Sequence, residues 1–278
     1  MAPSSPEPRI AFLVGGVQKA GTSALAQYLR ACPDLRLPAD KEAHVFDAPD
    51  FDDAWSTGDI DARLAQQFPD APGDVRWGDA TPFYLFHPRC VARIARYNPA
   101  MRWIVLLRDP VERARSHHHM ERQRGHESLP LWLAAWLEPW RVRGHADDLA
   151  RGSRLRRFSY RARGDYARQL DVLYAHFPRG QVLLLRSERL RNDPAACVRE
   201  ACTFLGVSPP PPGTGYAPVF VGDYPPASPS AFESRFLRWL MRRERRAMRE
   251  RHGIAFDWGS AQRMLQVALQ VGQLLDTH

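Results

Sequence analysis

At 278 residues, with 44% apolar and 25% charged side chains, the chain has the makeup of a globular protein that can bury one large core or two small ones, which excludes a disordered or fibrous protein. A net charge of +8 and a pI near 9.7 argue against cationic partners and favour a nucleotide, a sulfated or phosphorylated substrate, nucleic acid or an acidic membrane surface. The cations are 37 arginines against two lysines, Lys19 and Lys41; base composition explains the arginine excess but not where the lysines remain.

Residues 1–9 are rich in Pro and Ser and read as a disordered tail, with one domain expected over residues 10–278. No charged-then-apolar leader precedes Ile10, and no run approaches the ~20 apolar residues that span a bilayer, so a cytoplasmic protein is expected. Ile10–Val14 is a continuous apolar run, the pattern of a strand buried on both faces of a parallel sheet. It leads into Gly15-Gly16-Val17-Gln18-Lys19-Ala20-Gly21-Thr22-Ser23. Leu25, Tyr28 and Leu29 then recur at helical spacing over residues 22–31, and Pro33 closes the helix. Strand, glycine turn and helix in that order aim free amides and a positive helix end at an anion. Gly16 and Gly21 have the separation of a nucleotide triphosphatase loop, but Thr22 stands where such a loop carries lysine. The plainer alternative is a glycine turn with an incidental lysine.

Lys41-Glu42-Ala43-His44-Val45-Phe46-Asp47 holds the second lysine. A helix is predicted over Pro88–Tyr97 and a second apolar strand over Trp103–Leu107. Arg108 leaves the carboxyl end of that strand, where open α/β sheets bind ligands, and Ser116 follows within two turns of a helix from about Val111. An arginine fork and a hydroxyl suit a phosphate; pairing of Arg108 with Asp109 or another carboxylate is the alternative. His117, His118 and His119 point about 100° apart on a helix and cannot converge on one metal ion, so they are expected to divide between core and surface. Asp147-Asp148 reads as helix-flanking charge, and Arg151–Arg163, with six arginines, as a surface loop.

Asp165–Phe177 is a predicted helix and Val182–Leu185 a third strand. Residues 207–230 are Pro- and Gly-rich and too long for an idle connection; they read equally as a lid or as a linker into C-terminal helices over 231–278. One helix is predicted over 231–251, docked through Phe232, Phe236 and Leu240 with eight arginines around it, and a last amphipathic segment over Met264–Leu275. Cys32, Cys90, Cys197 and Cys202 show no metal spacing and read as reduced core thiols. Strands alternating with helices predict an α/β, P-loop-like three-layer fold, a central mainly parallel sheet flanked by helices.

These segments carry a resemblance. Gln18-Lys19-Ala20-Gly21-Thr22-Ser23-Ala24-Leu25 resembles the 5′-phosphosulfate loop of sulfotransferases that use 3′-phosphoadenosine-5′-phosphosulfate (PAPS), and Arg108-Asp109-Pro110 through Ser116 resembles their 3′-phosphate motif. Residues 41–47 and Thr81-Pro82-Phe83-Tyr84 resemble the heparan sulfate sulfotransferase branch and its bacterial relatives, and Phe204-Leu205-Gly206 matches in order. Ala80 stands where some glycan-modifying relatives carry lysine, and no Lys-Gly loop follows residue 206.

The resemblance implies a PAPS-dependent sulfotransferase. Lys19, Ala20, Gly21, Thr22, Ser23 and Ala24 would hold the 5′-phosphate, and Arg108 and Ser116 the 3′-phosphate. Glu42 matches the general base; Lys41 and His44 would position acceptor or sulfonate, with Asp47 orienting one of them. No metal is required in this scheme. The expected acceptor is a hydroxyl or amine of a glycan, lipid or small molecule, with no nucleic-acid partner. Two other readings stand beside it: a P-loop small-molecule kinase using Mg-ATP, with Asp109 on the metal, and a non-catalytic nucleic-acid or anion-binding protein built on the basic C-terminal helix.

Overall fold

The computed structural model describes residues 10–68, 75–217, 219 and 232–256. The disordered tail expected at residues 1–9, much of the proline-rich stretch and the segment Met264–Leu275 lie outside these residues.

Five strands form one sheet in the order β2-β3-β1-β4-β5, and every neighbouring pair is parallel. In chain order they are β1 (Ile10–Gly16), β2 (Leu35–Arg36), β3 (Arg76–Asp79), β4 (Arg102–Leu107) and β5 (Val182–Arg186). The helices are α1 (Thr22–Leu29), α2 (Thr57–Ala65), α3 (Phe83–Phe86), α4 (Pro88–Tyr97), α5 (Pro110–Gln123), α6 (Leu131–Arg141), α7 (Arg154–Phe158), α8 (Tyr166–His176), α9 (Ser187–Asn192), α10 (Pro194–Leu205), α11 (Phe232–Leu240) and α12 (Arg242–His252). The apolar runs of β1 and β4 lie side by side at the centre because only a strand covered on both faces can bury every residue. Both strands end on the same edge of the sheet, which sets the loops after Gly16 and Leu107 next to each other.

Three expectations need correction. Arg151–Arg163 is not a surface loop: Ser153 caps α7 by accepting from the amide of Arg156, and Leu155, Ser159, Tyr160 and Arg163 are buried. The helix predicted over 231–251 is two helices broken at Met241, where the Arg242 side chain donates to the carbonyl of Trp239 at 2.8 Å. Its buried face is Ser234, Leu237 and Met241; of the three expected residues Leu240 packs half-buried against the same cluster, Phe236 is half-buried and Phe232 is 68% exposed. Finally, none of the three histidines is exposed: His117 and His118 are buried and His119 is half-buried. The four cysteines are free and buried, as expected.

Candidate active site

The turn after β1 passes where only glycine fits. A Cβ on Gly15 would lie 2.4 Å from the Trp103 ring, and one on Gly16 2.5 Å from Leu85 Cδ2. Lys19 then takes a φ of 71° and Gly21 one of 99°, so the chain doubles back onto the start of α1. Gly21 is the N-cap, and no side chain caps the helix, which leaves the amides of Thr22, Ser23 and Ala24 for another acceptor. The Ala20 methyl is packed in the core.

Arg108 crosses from the end of β4 and donates through Nη1 to the carbonyl of Lys19 at 3.0 Å. Its Nη2 lies 3.8 Å from Glu112, and Tyr166 donates to the Arg108 carbonyl at 3.0 Å. Asp109 accepts from the amides of Val111 and Glu112 at 2.9 and 3.1 Å, so it caps α5. Ser116 is buried further along α5 and makes no hydrogen bond to Arg108 among the described residues. The Lys19 ammonium reaches Met120 Sδ at 3.8 Å; burial first, then the charges of Arg108, Arg124 and Lys41, push its pKa down.

The second lysine joins this loop to a carboxylate network. Lys41 Nζ lies 3.5 Å from Thr22 Oγ1 and 2.6 Å from Glu42 Oε1. Glu42 Oε2 meets His44 Nε2 at 3.1 Å, His44 Nδ1 meets Asp47 at 2.9 Å, and Arg156 donates to Asp47 at 2.6 Å. Burial alone would neutralise these groups, but their partners prevail. Against burial, the hydrogen bonds to Asp47 and Glu42 raise His44 to about 9. Against burial too, His44 and Lys41 hold Glu42 below the usual carboxylate range, and His44 and Arg156 do the same for Asp47. At neutral pH the row is therefore carboxylate, imidazolium, carboxylate.

Beneath it, Asp79 closes β3 and is pushed up to about 6 by burial; it accepts from the amide of Ala43 at 2.9 Å and from the hydroxyl of Thr81 at 3.0 Å. This holds the bend at residues 41–44, where Lys41 and His44 have φ of 71° and 54°. A cavity of about 220 Å³ opens beside the row, lined by His44, Asp47, Ala48, Pro49, Asp50, Arg151 and Arg156.

The structure thus joins Lys19 with Arg108, and Thr22 with Lys41, Glu42 and His44; it does not tie Ser116 to Arg108. Arg156 and Arg163 escape the sequence reading. The Arg163 guanidinium donates to Gln18 Oε1 in the glycine loop at 2.9 Å and to Ser159 at 2.9 Å. Leu155 and Phe158, three apart after a capping serine, are the signal that marks this stretch as helical. Among the described residues no group of three or more His, Cys, Asp or Glu is placed to hold a metal ion.

Fold and site together define a parallel α/β domain of P-loop-like type with a carboxylate–histidine row beside its glycine loop. A family model described as "Sulfotransferase domain" matches residues 9–213, and the chain belongs to that family. It is 31% identical over 218 residues to the mouse heparan sulfate glucosamine 3-O-sulfotransferase 3B1, covering 74% of this chain and 51% of that protein. It is 28% identical over 206 residues to the mouse bifunctional heparan sulfate N-deacetylase/N-sulfotransferase 4, covering 71% of this chain and 22% of that protein. The chain spans about half the length of the 3-O-sulfotransferases it matches. A solved structure of a sulfotransferase from Alicyclobacillus acidocaldarius has a TM-score of 0.69 and 28% identity, covering 89% of this chain and 97% of that one.

Proposed function

We propose that this chain transfers a sulfuryl group from PAPS to a hydroxyl or amine of a glycan, lipid or small-molecule acceptor. PAPS is the donor standard for the family and, when bound, supplies the activated sulfuryl group. The single observation that carries the reading is the Thr22–Lys41–Glu42 contact chain, in which one ammonium links a carboxylate to an uncapped helix start.

Lys19 and the amides of Gly21, Thr22, Ser23 and Ala24 would hold the 5′-phosphate and offset the charge that grows there. Arg108 and Ser116 would hold the 3′-phosphate. Glu42, ionised at neutral pH, takes the acceptor's proton; Lys41 and His44 position it, and Asp47, fixed by Arg156, orients His44. The acceptor enters through the cavity lined by His44, Asp47, Arg151 and Arg156. The name of the mouse 3-O-sulfotransferase favours a glycan hydroxyl, and that of the N-deacetylase/N-sulfotransferase a glycan amine. Four free, buried cysteines suit a reducing compartment, and we place the reaction in a bacterial cytoplasm.

Thermal-shift titration tests the donor. Stabilisation by adenosine 3′,5′-bisphosphate without magnesium supports the proposal; stabilisation by Mg-ATP alone supports a kinase and refutes it. An acceptor screen with labelled PAPS, read by mass gain, identifies the second substrate.

A further inference from the structure

Four large apolar side chains stand out in solvent among the described residues: Trp136, Trp140, Phe232 and Trp239, which are 46%, 61%, 68% and 54% exposed. All four lie on α6 and α11, far apart in sequence and packed together. Leu131, Ala134 and Ala135 of α6 share a buried cluster with Leu237 of α11 and with Val111 and Ala114 of α5. The exposed Phe232 and Trp239 are continuous with the half-buried Phe236, at ring separations of 5.9 and 5.7 Å. Trp132 meets Phe232 and Phe236 at ring separations of 6.3 and 6.1 Å, and Trp136 meets Trp140 at 5.7 Å.

Arginines border this face. The Arg242 guanidinium sits 4.7 Å over the Trp239 ring, and Arg235, Arg242 and Arg243 are exposed with no ion pair among the described residues. The nearby carboxylates are engaged elsewhere: Glu233 with Arg115 at 2.9 Å, and Glu244 with Arg161 at 3.2 Å. The face is therefore indole-rich and cationic at once. Indoles favour a boundary that is apolar on one side and wet on the other, and arginines beside them complement an anionic boundary. A second copy meeting the face across a two-fold axis would set arginine against arginine, which disfavours self-association.

We propose that the α6–α11 face docks on an anionic lipid membrane, indoles at headgroup depth and arginines on lipid phosphates. This does not depend on the sulfuryl-transfer reading. Since α5 carries Arg115 and Ser116 and packs under α11, docking would bring the site edge close to the lipid surface.

The test is co-sedimentation of the full chain with phosphatidylcholine vesicles, with and without phosphatidylserine. Binding is expected only with phosphatidylserine and is expected to fade with salt. The double substitution Trp136→Ser with Trp140→Ser should weaken it by about tenfold or more. Arg235→Glu with Arg243→Glu should weaken it by roughly thirtyfold or more, since each basic group near such a surface adds about fivefold. All four side chains are exposed, and an unchanged melting temperature confirms that the variants fold. Absence of binding at low salt, or equal binding by wild type and variants, overturns the proposal. So does a chain that ignores vesicles but sediments as a dimer that the tryptophan substitutions split, which would make the face a contact between copies.

Discussion

Arg108 donates to the main-chain oxygen of Lys19 at 3.0 Å, across 89 residues of sequence. Two loops, each at the carboxyl end of a central strand, are thereby one structural unit, and the Arg108 charge helps to push the Lys19 pKa down. The side chain that would bind one phosphate also fixes the turn that would bind the other.

Lys19→Ala removes the charge and leaves the turn, because Arg108 is anchored on a carbonyl. We expect the affinity for adenosine 3′,5′-bisphosphate, measured by calorimetry, to fall at least about tenfold. The turnover rate should fall by roughly 10²–10³, the usual cost of losing one preorganised charge-stabilising donor.

Glu42→Gln keeps the shape and discards the base. Nucleotide affinity should hold or rise, since Lys41 no longer shares its charge with a carboxylate, while turnover drops by about 10²–10⁴. Near-normal turnover would remove Glu42 as the proton acceptor.

The rate should depend on pH through His44. Its raised pKa means that the imidazolium is intact at neutral pH and is lost as pH rises through about 9. The same linkage stabilises the fold fully below the ordinary value of 6.5 and withdraws that stability across the same alkaline rise. Glu42 is held below its ordinary value of 4.5, so the acid limb begins beneath that point. A bell-shaped profile is expected, and His44→Gln should abolish the alkaline limb set by this group; an unchanged limb assigns it to Lys19.

Arg156→Leu would leave the fully buried Asp47 carboxylate with His44 as its remaining charged partner. Losing one member of a buried pair should cost about 3 kcal/mol in denaturant unfolding. Arg156→Lys should recover part of that stability. The leucine variant should also shift the alkaline limb, which loss of stability alone would not do.

Much of the scaffold was legible because it obeys local rules. β1 and β4 are unbroken apolar runs, and the turn between β1 and α1 is glycine-rich where Trp103 and Leu85 crowd the backbone. β3 was not legible: Arg76-Trp77-Gly78-Asp79 has no apolar run, since Gly78 leaves its place to the Phe12 ring, which a Cβ would meet at 2.2 Å. Arg156 and Arg163 were hidden by composition. In a chain with this many arginines a run of them reads as solvated, and only tertiary contacts with Asp47, Gln18 and the Phe83 ring reveal two of them as interior. The break at Met241 likewise depends on a side chain capping a carbonyl one turn back.

Lys41 is a single ammonium divided between Thr22, at 3.5 Å, and Glu42, at 2.6 Å. An anion arriving at the start of α1 competes with Glu42 for that charge, and whatever attraction the anion gains, the carboxylate forfeits. As the proposed base, Glu42 would be a poorer proton acceptor before an anion arrives and a better one afterwards. Loading of one half thereby arms the other, and by reciprocity the protonation state of Glu42 alters the grip of the loop.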